Sequence, residues 1–383
     1  MSAPPTKPAA AALPGIEDHP HACAILLPAL PPQGNPSHAY LFHGPAGSGK
    51  EAVAKAFAGA LLADGARTPE TVAERVQRDT HPDLTWVTPS GASEVLVGDI
   101  EGPVVAAATH TPFESKRRVF VIEAAGTMND QAANRLLKTL EEPAPFAHMI
   151  LLAEHREDVL ATIASRCQQV RFDPLAGAVV RARLVEQTGG EPLDPVRAAA
   201  CAELAGGDVR LAQRLAGEEG AKLRAWAEAF VGAALGGHNE EREWTGLLEA
   251  AKAAGAQAGA EAGDRLREEA ELLPSKERRK YEREGADVVR RAERRTRAAT
   301  LELGLKLAEQ WLRDAWCLAL GTPELALAVD RTAELGACAE GRSSVSLMQG
   351  VELVCDTRLR LPLNVSEELA LEALAYRLAA LPT

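Results

Sequence analysis

The residues able to do chemistry fall in separate stretches of the chain. Gly44-Pro45-Ala46-Gly47-Ser48-Gly49-Lys50 has the spacing G-x-x-x-x-G-K. Glycines at Gly44, Gly47 and Gly49 let backbone N–H groups converge on a phosphate. A following helix N-terminus adds positive potential, and Lys50 can reach the terminal phosphates. The next position should be a Ser or Thr whose hydroxyl holds Mg²⁺, but here it is Glu51. A carboxylate beside the phosphates repels them or binds metal in another geometry. The loop therefore reads as one of nucleotide-binding ancestry without a working hydrolytic site.

An acidic pair is the second requirement for hydrolysis, one acid to organise Mg²⁺ and one to activate water. In Val119-Phe120-Val121-Ile122-Glu123-Ala124, Glu123 stands at the first position and Ala124 at the second. Alanine cannot accept a proton from water, so this is a second, independent defect. Ser165-Arg166-Cys167 follows a short predicted helix. Arg166 reads either as an arginine finger, reaching a neighbour's transferring phosphoryl group, or as a helix-end arginine beside the last carbonyls.

These residues need elements to hold them. Tyr40-Leu41-Phe42 predicts a buried strand, and 51–62 an alanine-rich helix behind the glycine loop. Further strands are expected from His81-Pro82-Asp83 into Leu84–Val87, over 119–122, over 149–153 and over 170–172. Residues 63–82 are polar and partly helical. From Ser93 the chain starts strand-like and becomes helical over 97–108. An amphipathic helix spans 129–142 until Pro143 ends it, and a short one spans 157–165. Strands alternating with helices predict an α/β fold with a parallel sheet covered on both faces. From Pro174 the strands stop and helices continue to the end. Within them, residues 276–297 hold ten Lys/Arg against five Asp/Glu. That run reads as a solvated helix, a protruding hairpin or a partly disordered insertion, with direct DNA contact as the competing reading.

The bulk numbers bound the rest. The chain has 383 residues, 46% hydrophobic and 25% charged, which suits two or three globular domains. A net charge of −12 argues against a protein that coats nucleic acid by itself. No run of 18 apolar residues predicts a membrane span, and residues 1–18 read as a flexible leader. Cys23, Cys167, Cys201, Cys317, Cys338 and Cys355 are scattered without a C-x-x-C pair, so free thiols in a cytoplasmic protein are expected and structural zinc is not.

In order, HAYLFHGPAGSGK (38–50), THPDL (80–84), RRVFVIEAAGTMNDQAANRLLKTLEEPAP (117–145) and SRC (165–167) resemble the delta-prime subunits of bacterial clamp loaders. The signature Asn134-x-Leu136-Leu137-Lys138-x-Leu140-Glu141-Glu142-Pro143 is specific to that family and its motor-subunit relatives. The resemblance covers about residues 20–215 and is weaker beyond, where Asn364-Val365 and 369–378 look like the end of a C-terminal collar. It implies an AAA+ P-loop α/β domain over 19–174, a helical lid over 175–218 and an all-α collar over 219–383 with a charged insertion near 254–300.

The resemblance further implies a non-hydrolysing stator that gives Arg166 in trans to a neighbouring motor subunit's ATP site. The implied partners are the gamma/tau motor subunits and delta, with the sliding clamp and primer-template DNA met through the complex and no membrane. No cofactor is required, ATP or ADP binding remains open, and zinc is not carried over because residues 63–80 lack the family's cysteines. Arg210, in Gly206-Gly207-Asp208-Val209-Arg210, lies where AAA+ modules place an arginine that senses nucleotide; the plain reading is a helix-surface arginine. The competing functional readings are an ATP-hydrolysing motor subunit and a small-molecule P-loop kinase. The first expects Ser or Thr after Lys50 and an acid at 124, and the second expects an acceptor site and lid in place of a collar.

Overall fold

The computed structural model describes residues 13–89, 94–187, 193–238, 242–271, 274–361 and 365–382. They form two compact units, one ending at Ala176 and one beginning at Gly177.

The first unit is built on five parallel strands: β1 (Ala39–His43), β2 (Leu84–Val87), β3 (Arg118–Ile122), β4 (Ala147–Ala153) and β5 (Gln168–Arg171), in the order β2-β3-β4-β1-β5. Side chains alternate across the sheet. Tyr40, Phe42, Val119, Val121, Ile150, Leu152 and Val170 share one core with helices α1 (Pro20–Ala29), α2 (Lys50–Leu62) and α3 (Pro69–Gln77). Leu41, Phe120, Ile122, Met149 and Leu151 share the other with α4 (Val97–Ile100), α5 (Asp130–Glu141) and α6 (Ala161–Ala164). β4 lies between two strands and is buried on both faces, so it has no polar alternation to show.

α5 starts where the sequence places it. The Asn129 side chain accepts a hydrogen bond from Ala132 N at 2.9 Å, and Ala132, Ala133, Leu136 and Leu140 form its buried stripe. The expected helix over 97–108 is less regular. α4 passes into a π-type segment at Glu101–Ala106 and a 3₁₀ turn at Ala107–Thr109. Pro103 lies in that segment without an N–H to give, and a wider turn accommodates it. Val95 makes an isolated bridge with Met128, while Ser93 lies outside the described residues. The leader expected over 1–18 is too long: Leu13 and Ile16 are fully buried in the α2-side core and belong to the fold. Its first twelve residues lie outside the described ones.

The second unit is helical throughout its described residues: α7 (Gly177–Gln187), α8 (Pro195–Leu204), α9 (Val209–Ala216), α10 (Glu218–Leu235), α11 (Trp244–Glu271), α12 (Ser275–Ala319), α13 (Thr332–Ala339), α14 (Ser344–Arg360) and α15 (Glu367–Ala379). The segment expected to be the helical lid hydrogen-bonds to the long α12 of this unit. Arg214 donates to Thr300 Oγ1 at 2.8 Å and Gln310 donates to Leu204 O at 3.1 Å. The charged stretch near 254–300 forms the arms of a long hairpin, α11 against α12. Asn364 lies outside the described residues, and the expected C-terminal helix is α15. Among the described residues no helix is long and apolar enough to cross a membrane.

Candidate functional site: a glycine loop and an arginine turn

The glycine loop leaves β1 and enters α2 as its spacing predicts. Gly44 is required by crowding: a Cβ there would stand 2.1 Å from Phe172 O, where β5 ends against the loop. Gly47 and Gly49 both take positive φ, 68° and 87°, and Gly49 is the N-cap of α2. Ser48 N donates to Pro45 O at 3.3 Å, closing a turn inside the loop. Lys50 is only 6% exposed, and its Nζ donates to Gly44 O at 2.9 Å and Pro45 O at 3.0 Å. The ammonium is folded into the loop's own carbonyls. Glu51 sits half-buried in the first turn of α2, where a carboxylate complements the helix dipole and competes with a phosphate for it.

Glu123 follows β3, and strand alternation puts it on the α2 side of the sheet. Its Oε1 accepts a 2.6 Å hydrogen bond from Trp86 Nε1 on β2, and Lys55 of α2 lies over that indole at 5.1 Å. Glu123 N donates to Val87 O at 2.9 Å. The acid is thus drawn toward the edge strand. Ala124 adopts the left-handed conformation, φ 50° and ψ 42°, and caps the turn Ala125–Thr127; its methyl group offers nothing to a water. The Trp86–Glu123 bond escapes sequence reading because it depends on the parallel pairing of β2 with β3.

Arg166 sits on the turn between α6 and β5. Its neighbours in the motif anchor that turn. Ser165 Oγ donates to Thr162 O at 3.0 Å, and Cys167 is buried in the α5-side core, which pushes its thiol up to about 12. So protonated a thiol is a packing group, not a nucleophile. Between these anchors the Arg166 side chain is 37% exposed. One guanidinium nitrogen donates to Thr162 O at 2.9 Å and another to Glu141 Oε1 at 2.6 Å. Glu141 is the first acid of the Leu140-Glu141-Glu142-Pro143 signature, so two sequence signals 25 residues apart meet in one ion pair.

Arg210 belongs to the second unit, exposed on the first turn of α9, where Asp208 caps the helix by accepting from Leu211 N at 3.0 Å. The His81-Pro82-Asp83 segment has a structural role that its sequence does not declare. Asp83 is fully buried, and its carboxylate accepts from the backbone N–H groups of Phe113, Glu114 and Ser115 at 2.6–3.0 Å. It fixes the loop that leads into β3. Burial lowers the pKa of His81, whose Nδ1 accepts from Asp83 N at 3.2 Å. Among the described residues no group of three or more His, Cys, Asp or Glu side chains is arranged to hold a metal.

Residues 22–176 match the family model described as DNA polymerase III, delta subunit. The DNA polymerase III subunit delta-prime of Bacillus subtilis (strain 168) is 37% identical over 155 residues, 39% of this chain and 46% of that protein. Its counterpart in Pseudomonas aeruginosa is 36% identical over 191 residues, 48% of this chain and 56% of that protein. Over that segment the chain is similar to DNA polymerase III delta-prime subunits. The Bacillus subtilis DNA polymerase III subunit tau is 30% identical over 163 residues, 41% of this chain and 28% of that protein. The chain spans about half the length of the curated delta-prime relatives it matches. The matched segment is the unit that carries the five-stranded parallel sheet.

Proposed function

We propose that the chain is the delta-prime subunit of a bacterial replicative clamp loader. It acts as a non-hydrolysing stator and supplies Arg166 in trans to the ATP site of a neighbouring gamma/tau-type motor subunit. Delta, the sliding clamp and primer-template DNA are its other partners, met through the assembled complex. Its own Gly44–Lys50 loop, with Gly47, Gly49 and Arg210, is at most an ATP- or ADP-holding site, and Glu123 is a remnant of the acidic pair.

The observation that carries this reading is the contrast around Arg166. It stands on a turn anchored on both sides, with its guanidinium at the surface and only a surface carboxylate and one carbonyl to leave. An exposed ion pair of this kind contributes about 0–1 kcal/mol. A finger that meets a transferring phosphoryl group contributes on the order of 10³–10⁵ in rate, roughly 4–7 kcal/mol. Giving up the Glu141 pair therefore costs little beside what a finger supplies in the transition state. Glu51 and Ala124 support the absence of hydrolysis in this chain, and they weigh against the motor reading that the tau relative would otherwise favour.

The test has two arms. Isolated chain should not turn over ATP, and a loader rebuilt with Arg166→Ala should assemble but hydrolyse slowly. Steady hydrolysis by the isolated chain that Lys50→Ala abolishes would transfer the assignment to the motor class. Undiminished stimulated hydrolysis in the Arg166→Ala complex would remove the finger.

A further inference from the structure

The α11–α12 hairpin is the part of the chain that the clamp-loader reading leaves unused. Its arms meet through small residues. At Gly255 an added Cβ would stand 2.8 Å from Glu293 O, so α11 lies directly on α12 there. Around that contact α11 reads Ala250-Ala-Lys-Ala-Ala-Gly-Ala-Gln-Ala-Gly-Ala260, without a carboxylate. Over the stretch of α12 that Gly255, Gly259 and Gly263 face, α12 carries Arg290, Arg291, Arg294, Arg295 and Arg297, with Glu261 of α11 at its lower end. Spacing of four residues stacks Arg290 on Arg294 and Arg291 on Arg295, in two adjacent columns with a repeat of about 6 Å.

Acids around this ridge have partners, Glu261 of α11 accepting from Gln257 Nε2 at 3.2 Å. Asp287 accepts from Arg290, and its backbone oxygen accepts from Arg291 Nε at 3.1 Å. Glu367 takes Arg297 at 2.5 Å. Glu293 lies on the α11 side, beside Gly259. Arg294 and Arg295 are exposed and, among the described residues, neither pairs with a carboxylate. This concentration of positive charge stands on a chain whose net charge is −12.

We propose that the face of the hairpin formed by Arg290, Arg291, Arg294 and Arg295 binds the phosphates of double-stranded DNA. Its cations are all guanidinium, whose planar fork matches two phosphate oxygens. No aromatic residue occurs between Tyr281 and Trp311, so the ridge has no platform on which single-stranded bases could stack. It also lacks the aromatic anchors that dominate protein–protein contacts. What remains is sequence-independent reading of a backbone. The contact is independent of the Arg166 reading, because neither needs the other.

The test is fluorescence anisotropy of the full chain with a labelled duplex of about 30 base pairs, titrated between about 25 and 200 mM salt. Wild-type chain should bind with a Kd of roughly 10⁻⁶–10⁻⁴ M and weaken steeply with salt. The variant R290Q/R291Q/R294Q/R295Q should flatten the log–log salt slope by about 3–4, close to 0.9 per lost phosphate contact. R294Q/R295Q keeps the Asp287 bonds intact and should flatten it by about 2, which answers any loss of folding in the fourfold variant. Arg166→Ala should bind as wild type does. Absence of wild-type binding at low salt, or unchanged slopes in both variants, would overturn the proposal. Single strands binding as tightly as duplex would also overturn it. Displacement of duplex by polyglutamate at equal charge concentration would reassign the ridge to an acidic protein.

Discussion

Lys50 and Arg166 are cations of the same α/β unit, held in opposite ways. Lys50 is buried and spends its ammonium on two carbonyls of its own loop, while Arg166 is half-exposed and makes a surface ion pair. The loop's neighbours are wrong for hydrolysis, with Glu51 at the Mg²⁺ position and Ala124 at the base position. The arginine's neighbours are right for presentation: Ser165 closes the turn and Cys167 packs it down. On the proposed function, one scaffold holds a loop without hydrolytic partners and offers a second group to another subunit.

The largest expected effect on this contrast comes from Gly44→Val. A side chain where Phe172 O stands 2.1 Å away must move β5 or the loop, and stability should fall by about 3 kcal/mol or more in denaturant unfolding. A variant that melts like wild type would show that the loop is not held closed as described.

Lys50→Ala comes next. It strips a donor from Gly44 O and Pro45 O in a buried site and should cost about 1–3 kcal/mol, with no change in ATP turnover by the isolated chain. A stable variant, or one that loses a measurable turnover, breaks the contrast from the loop's side.

Burial also lowers the pKa values of His148, His81 and His43, the last despite the opposing field of Glu157. The unfolded chain binds these protons more readily than the folded one. Stability should therefore be full above the ordinary histidine value of about 6.5 and decline as pH drops through it toward the depressed folded values. Melting temperatures taken between about pH 7.5 and 5 should fall, and His148→Gln should flatten the decline. A pH-independent melting temperature contradicts the burial of these rings.

The smallest effect is Glu141→Gln. It weakens one exposed ion pair, so unfolding should change by about 0–1 kcal/mol, and stimulated hydrolysis by a loader containing it should persist. Loss of that activity as complete as with Arg166→Ala would mean that Glu141 does more than hold the arginine at rest.

Much of this was legible from sequence because it is local. The strand–loop–helix at 39–62 follows from glycine spacing, and the start of α5 from Asn129 and its apolar stripe. What stayed hidden depends on register or distance. Trp86 reaches Glu123 only because β2 and β3 are parallel neighbours, and Glu141 reaches Arg166 only because α5 and α6 pack together. Asp83 looks like a strand-entry residue until the N–H groups of Phe113–Ser115 converge on it. The burial of Leu13 and Ile16 was masked by the Pro/Ala-rich stretch before them. The hairpin was one of several readings of the charged run, because its seam is Gly and Ala, which leave almost no hydrophobic signal.

The most direct test of the central claim is single-turnover ATP hydrolysis by a rebuilt loader, with clamp and primed DNA, carrying wild-type, Arg166→Lys or Arg166→Ala chain. A trans finger predicts that hydrolysis at the served site falls on the order of 10³-fold with alanine and is poorly restored by lysine, which lacks the planar fork. Equal burst amplitudes and rates for all three chains would contradict it.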